Sequence, residues 1–599
     1  MLVTELPLEI TILIASYLKL KDRFQCCLVC KNWAWAFQKS LFEKIVLNNK
    51  VYADKLISPA SQAIHRLRLY RHTTRKLVIG GNVLLDNQTL YVLQKIFPNL
   101  HSFFWNNSRH RLSSQKTDFY GWNLWSKTLT SLEVTLAAHN EDIYTKMLDT
   151  IRSKLCRLKR LYFSHKSSKK FEFTFDDFEL LNDQLPELTH MTLKVEFKEM
   201  SFNELSKVKE VKPRPCLKTL QIHITKSTYE WMYYIAVKYP NVSTIGRLYF
   251  GRTLSPNLPT YKTPTRLAEL PRPLQQLERI HMVVYSHAVY IYHVFVKQLR
   301  GLNIQVKNIW IDVNCSLNFD NTSGIYVQLA AQPWANTLEE ISILYNTHYS
   351  GHLRSFYFFH YDDYYPRLVH LDIEAFGAII IINHVLENRP SLKTIKVTCN
   401  LLSYEPDLST PSIKHGLRHL ALLSTDVYTN TLTYISTYCN DLKNMTLDRV
   451  KILESQNIIN SPHCIDMSST HFKRLRIKHI EFIKQNKGNI SVFLFPSSEE
   501  MKEKTRYRRK IPTENVWACF QGLDSYRKGL SFEVQKKGEE AEKIEEYFRA
   551  FSYMPRRSDT LYEPLELVHR LLLGSWASFL PDGYVIFKYS SVEDLVIGP

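Results

Sequence analysis

The sequence predicts an α/β fold: a small all-α N-terminal module, then a right-handed α/β solenoid of irregular repeats with a period of about 24–32 residues, then a C-terminal cap region. Three observations carry that reading. Apolar residues in the first fifty positions recur at helical spacing. The pattern L-x-x-L-x-L, with Ile, Val, Met or Phe allowed at the apolar places, recurs twelve times between Leu129 and Ile477. And 599 residues exceed one ordinary core, which stops growing near ~250–300 residues, so several domains or an elongated array are expected.

Composition narrows the class. The chain is 45% hydrophobic and holds 34 Tyr, 31 Phe and 10 Trp, which excludes wholesale disorder. Only 17 glycines argue against Gly-rich phosphate loops and doubly wound dinucleotide folds. The longest apolar run, Ala375–Ile382, falls far short of the ~20 residues of a membrane span. The start, MLVTELPLEI, lacks a basic segment and a cleavage site, so no secretory signal is expected. Ten cysteines at irregular spacing form no disulfide framework. Cytoplasm and/or nucleus is the expected location. The net charge of +19 favours an anionic partner.

At the N-terminus, Leu6, Ile10, Leu13, Ile14, Tyr17 and Leu18 mark a first helix with one face to bury. Pro7 suits its first turn. Asp22 and Gln25 have the spacing of a capping box opening a second helix with Phe24, Cys27 and Leu28. A third helix is expected over Asn32–Phe42. Three short helices make a very small core, which needs a partner surface or a covering domain.

The run LPLEITILIASYLKLKDRFQCCLVCKNWAWAFQKSLFEKIVL resembles the F-box domain. Leu6-Pro7, Glu9-Ile10, Ile14 with Tyr17-Leu18, Asp22, Cys26 through Leu28-Val29-Cys30-Lys31 to Trp33, and Leu41-Phe42 match its order and spacing. The resemblance implies docking onto a Skp-type adaptor and, through it, a cullin scaffold of a ubiquitin ligase. Leu6, Pro7, Ile10, Ile14, Leu18, Val29 and Trp33 correspond to the family's adaptor-binding or core-forming positions, and sequence leaves open which does which.

In the repeats, the alternating end of each motif suits a short strand. Helical stretches lie between, such as Asp142–Ser153 and Tyr229–Lys238. Prolines at Pro98, Pro186, Pro240, Pro366 and Pro390 punctuate the helix ends. The pattern resembles the leucine-rich repeats found behind F-boxes, with Tyr438-Cys439-Asn440-Asp441-Leu442 like the cysteine-containing variety. Variable period, and a mostly missing Asn or Cys after the strand, depart from that family. The expected organisation is residues 1–47 F-box, 48–99 connecting segment and N-terminal cap, 100–480 solenoid with an insertion at 247–276, and 481–599 C-terminal cap or extension. The last part contains the basic run Lys502–Lys510, strand-like Ile490–Phe495, a charged helix near Glu539–Arg549 and an apolar stretch at Leu565–Leu580.

Catalytic and metal motifs are not evident. Cys27 and Cys30 form a lone C-x-x-C, and a structural zinc site needs a second pair. They are read as small buried residues. His415 and His419 straddle an expected strand start and are not expected to share a face. The aromatic cluster Phe356–Tyr365 is expected to pack in a helix. No H-E-x-x-H, P-loop or G-x-S-x-G occurs. The chain is therefore expected to be a non-catalytic receptor, with no cofactor and no metal.

Motif positions two, three and five point away from the core by strand alternation. In the last four repeats they carry seven cations and no carboxylate: Lys393, Lys396, Arg418, Lys443, Lys473, Arg474 and Arg476. This face is expected to bind a protein substrate, acidic or phosphorylated, through charge-assisted hydrogen bonds. The resulting expectation is the substrate-recognition subunit of a Skp–cullin–F-box ligase, without membrane attachment. The rivals are a non-degradative F-box scaffold and a basic solenoid that binds nucleic acid.

Overall fold

The computed structural model describes residues 6–49, 71–112, 122–250, 273–315, 334–347, 364–455 and 464–495, several of these spans with short internal gaps. It also describes the strand segments 356–358, 516–519, 533–535 and 585–597 and a few single positions. The chain divides into two compact units, Met1–Met282 with Gly301–Ile304, and Val283–Arg300 with Gln305–Pro599.

The first unit opens with three helices, α1 (Leu8–Tyr17), α2 (Leu20–Cys26) and α3 (Lys31–Glu43), with α3 packed on the other two. Pro7 is the residue just before α1, and its carbonyl accepts from the Thr11 N–H at 3.0 Å. The second helix starts earlier than the sequence suggests. Lys19 precedes it and Asp22 sits inside its first turn, so Asp22 and Gln25 form no capping box. Arg23 explains the early start. Its Nε donates to Leu18 O at 2.9 Å and its Nη2 to Ser16 O at 3.1 Å. Those carbonyls end α1 and would otherwise lack partners.

Strand β1 (Lys44–Leu47) begins on the residue after α3 and pairs in parallel with β2 (Lys76–Ile79). The strands that follow are β3 (Ser102–Leu112), β4 (Ser131–Ala138), β5 (Arg160–His165), the short β6 (Glu172–Phe173), β7 (His190–Phe197), β8 (Thr219–Ile224) and β9 (Thr244–Phe250). Apart from β6, each pairs in parallel with the next. Strand β10 (Arg279–Tyr285) pairs with β9. Parallel neighbours need crossovers, and α4 (Asn87–Ile96), α5 (Glu141–Lys154), α6 (Phe175–Gln184), α7 (Phe202–Lys207) and α8 (Thr228–Lys238) lie in those connections. In α5, Ile143, Met147 and Ile151 recur every fourth residue and are buried. Thr174 with Asp177 and Ser201 with Glu204 form capping boxes that open α6 and α7.

In the second unit β11 (Asn308–Cys315), β12 (Glu340–Thr347), β14 (His370–Ile381), β15 (Thr394–Ser403), β16 (His419–Leu423), β18 (Asn444–Leu453) and β19 (Cys464–Ile483) pair in parallel in that order. The short β13 (Phe356–Phe358) and β17 (Asp426–Tyr428) belong to a second tier. Helices α9 (Val289–Gly301), α10 (Ile382–Glu387) and α11 (Thr429–Tyr438) complete the described α elements. Gly377 (φ 88°), Ser424 (φ 46°) and Arg449 (φ 57°) turn the chain between tiers. Beyond them the strands pair again, Lys451–Leu453 with Glu481–Ile483 for example.

Every apolar place of the twelve sequence triplets is buried in these two units. Most strands of the parallel ladders also start with the same backbone motif. The residue at motif position two and the one after it both donate to the position-two carbonyl of the preceding strand. Thr189 and His190 share Lys159 O at 2.9 and 3.0 Å, and Arg418 and His419 share Lys393 O at 2.9 and 3.0 Å.

Several expectations need correction. The aromatic cluster starts with a strand, because Phe356–Phe358 pair with Ala378–Ile380. Of its later members, Tyr365 is buried and Tyr364 is exposed. The 247–276 insertion starts too early, since β9 continues to Phe250. Residues after 480 rejoin the parallel ladder. Strand β24 (Val585–Ile597) pairs with β19 from Cys464↔Ile586 to Ile477↔Ile597. It carries a thirteenth triplet, Val592, Leu595 and Ile597, in register with Phe472, Leu475 and Ile477. Strands β20 (Asn489–Ile490), β21 (Val492–Phe495), β22 (Val516–Cys519) and β23 (Glu533–Gln535) add antiparallel pairings, and β21 also pairs in parallel with the start of β24. Lys502–Lys510, Glu539–Arg549 and Leu565–Leu580 lie outside the described residues.

Candidate docking surfaces

The first surface lies on the N-terminal helices. Their apolar periodicity promises a buried face, yet α1 buries only Thr11 and Ala15. Leu8, Ile10, Leu13, Ile14 and Tyr17 are exposed, Tyr17 at 82%. Leu20, Phe24, Leu28 and Val29 continue the exposure around α2 and the turn after it, with Leu28 at 71%. Trp35 on α3 is exposed too, with the Lys39 ammonium 5.3 Å from its ring centre. Small side chains face α3 because they let the helices approach closely. The large apolar ones are left outside. Large exposed apolar side chains, where they form a contiguous patch, are a feature of interaction sites.

The seven residues expected here therefore separate. Pro7, Ile10, Ile14 and Val29 are exposed. Leu6, Leu18 and Trp33 are half-buried, and Trp33 packs on Phe37 with ring centres 5.4 Å apart. Leu8, Leu13, Tyr17, Leu20, Phe24, Leu28 and Trp35, outside the expected seven, are exposed as well. Their signal was present as Thr11 and Ala15, small residues one turn apart that fit a helix contact. Cys27 and Cys30 are half-buried. Burial, then the neighbouring Cys26, pushes the Cys27 thiol up.

The second surface lies on the strands of the second unit. Arg418, Lys443, Lys473, Arg474 and Arg476 are exposed, while Lys393 and Lys396 are half-buried. Two of the seven are neutralised. Lys396 Nζ lies 2.9 Å from Asp372 Oδ2, and Arg474 Nε lies 2.8 Å from Asp594 Oδ2 on β24. Asp594 lies 120 residues from Arg474 along the chain, too far for the repeat pattern to connect them. No ion pair forms between the other five and any described residue.

Between these cations the face is flat. Ala421 and Thr446 occupy position five of β16 and β18, between Lys396 and Arg476. Beside them His419 Nδ1 lies 2.9 Å from Asn444 Nδ2. His415 is separate from that face. It is buried, and its Nε2 lies 2.9 Å from the Arg389 carbonyl, so that nitrogen carries the proton. Burial lowers its pKa, and the Arg389 bond opposes that.

An F-box-like domain is found at residues 3–48, by match to a family model of that description. No leucine-rich-repeat family is detected. No curated protein matches the chain. The chain thus has an F-box-like domain followed by helices and a strand-rich sheet, and its exposed apolar helical face falls within the matched residues.

Proposed function

We propose that this chain is the substrate-recognition subunit of a Skp–cullin–F-box ubiquitin ligase. The observation that carries the reading is the exposed apolar face on α1, α2 and the turn after α2, inside an F-box-like domain. F-box domains commonly bind Skp-type adaptors, and a helical adaptor would cover such a face. Burying one Leu or Ile is worth roughly 1.5–3 kcal/mol, so a few of these residues supply a firm contact.

The strand-rich remainder would act as an irregular leucine-rich-repeat solenoid holding a protein substrate. Sequential parallel pairing and the buried triplets support that architecture. The chain would perform no chemistry itself and would act by proximity in the cytoplasm and/or nucleus.

Co-expression with a Skp-type adaptor tests the reading. Ile10→Asp and Leu28→Asp change exposed residues, so the chain should fold and lose adaptor capture. Unchanged capture by both variants would overturn the proposal. A non-degradative scaffold would retain adaptor and cullin but yield no ubiquitylated partner in affinity purification.

A further inference from the structure

We infer that a short, extended acidic peptide binds across the strands of the second unit, along the ladder Lys393, Arg418, Lys443 and Lys473. The inference rests on the substrate-receptor reading above and specifies the chemistry of the occupant.

The ladder follows from the backbone. The Arg418 N–H donates to Lys393 O at 2.9 Å, Lys443 to Arg418 O at 3.0 Å, and Lys473 to Lys443 O at 2.7 Å. Four cationic residues therefore stack at consecutive strand spacings of about 4.8 Å. Like charges facing one another on neighbouring strands are destabilising. Among the described residues no carboxylate forms an ion pair with these four, whereas Lys396 and Arg474 nearby already have carboxylate partners. An anionic ligand would relieve the whole row at once.

The ends of the ladder set the length of that ligand. Position two carries Val369 and then Glu339 on the strands before Lys393. On the other side comes Glu593, between Val592 and Asp594, which pair with Phe472 and Arg474. Carboxylates thus bound the cationic row on both sides. The row spans three strand spacings, roughly 14 Å. An extended chain covers about 3.3 Å per residue, so about four to five residues fill it. A longer polyanion such as RNA would run onto Glu339 or Glu593 and be repelled. Ala421 and Thr446 leave room beside the ladder for a side chain, and Arg476 stands at the far edge of that space.

Fluorescence anisotropy with the full chain tests the assignment at physiological salt. The probes are a labelled peptide with about five consecutive glutamates, the same peptide with phosphoserines replacing alternate glutamates, its all-glutamine counterpart, and a single-stranded RNA of about fifteen nucleotides. Both acidic peptides should bind and the glutamine peptide should not. A preference for the phosphorylated one identifies a modified substrate, and parity identifies a plain acidic one. Arg418→Glu with Lys443→Glu should weaken acidic-peptide binding about tenfold or more. The milder Arg418→Gln with Lys443→Gln guards against misfolding and should weaken it in the same direction. Lys396→Gln should change it less than about twofold, because that ammonium is already paired. No acidic-peptide binding, equal binding by both ladder variants, or tighter binding of RNA than of either acidic peptide would overturn the inference. Adaptor capture on the same samples separates the two claims. Intact capture with no effect at the ladder sinks the peptide site alone, and lost capture by the wild-type chain sinks the receptor reading beneath it.

Discussion

Lys238 carries a buried charge, 1% exposed, and its Nζ lies 2.7 Å from Glu179 Oε2. Tyr234 donates to the same carboxylate, and Tyr239 donates to Asn182 Oδ1 at 2.8 Å. Asp183 is 4.0 Å from Lys238 but largely exposed, so it offsets little. Glu179→Ala leaves an uncompensated buried ammonium and should cost about 3–5 kcal/mol in urea unfolding. The double change Glu179→Leu with Lys238→Met should recover most of that loss, and additive losses would show the pair is not coupled. A half-buried carboxyl makes stability pH-dependent. Burial raises the Asp426 carboxyl above its ordinary 3.8, Lys451 on the next strand pulls it down, and Glu481 raises it again. An acid with a raised folded pKa lends its stability below 3.8 and loses it as pH rises through the folded value. Asp426→Asn removes that loss. Its gain in Tm over wild type should be larger at about pH 7 than at about pH 4, and an equal shift at both would refute the desolvation account.

At the scale of elements, the parallel strands were legible because their apolar triplets have nowhere else to go. Leu158, Leu161 and Phe163 alternate with polar residues, and a strand buried on one side must do so. The orientation of α1 was not legible. Helical periodicity says that an apolar face will be covered, without saying by which molecule, and here Thr11 and Ala15 take the intramolecular contact. Two rungs also escaped the sequence reading. The β1–β2 pair follows an F-box helix directly, and the β24 triplet lies far beyond the last clear repeat. Strand β24 also changes the charge of the candidate site, since Asp594 neutralises Arg474. Removing residues 585–597 should therefore have two effects. It uncovers the long edge of β19, a template for pairing with other chains, so sedimentation velocity should detect association. It also frees Arg474, so acidic-peptide binding measured on the remaining monomer should strengthen. A chain that stays monomeric with unchanged binding would mean β24 serves neither purpose.

At the scale of the molecule, the junction between the F-box-like helices and the first strands decides how the adaptor's position is transmitted. Helix α3 ends at Glu43 and β1 starts at Lys44, with no linker between them. The Arg75 N–H donates to Glu43 O at 2.9 Å, and Thr74 Oγ1 donates to Phe42 O at 2.9 Å. The β1–β2 ladder continues in register through Leu47↔Ile79. The helical module is therefore built into the sheet of the first unit, which also gives its small core the support that three short helices lack alone. Under the proposed function this junction fixes the adaptor relative to that sheet, and proximity catalysis depends on such fixed geometry. Inserting a Gly-Ser segment between Glu43 and Lys44 uncouples the module without touching either docking surface. Adaptor capture and acidic-peptide affinity should stay near wild type, hydrogen exchange over residues 8–43 should quicken, and ubiquitin transfer to the bound partner should fall. Transfer at the wild-type rate with quickened exchange would show that the junction supports folding of the helices and has no part in positioning.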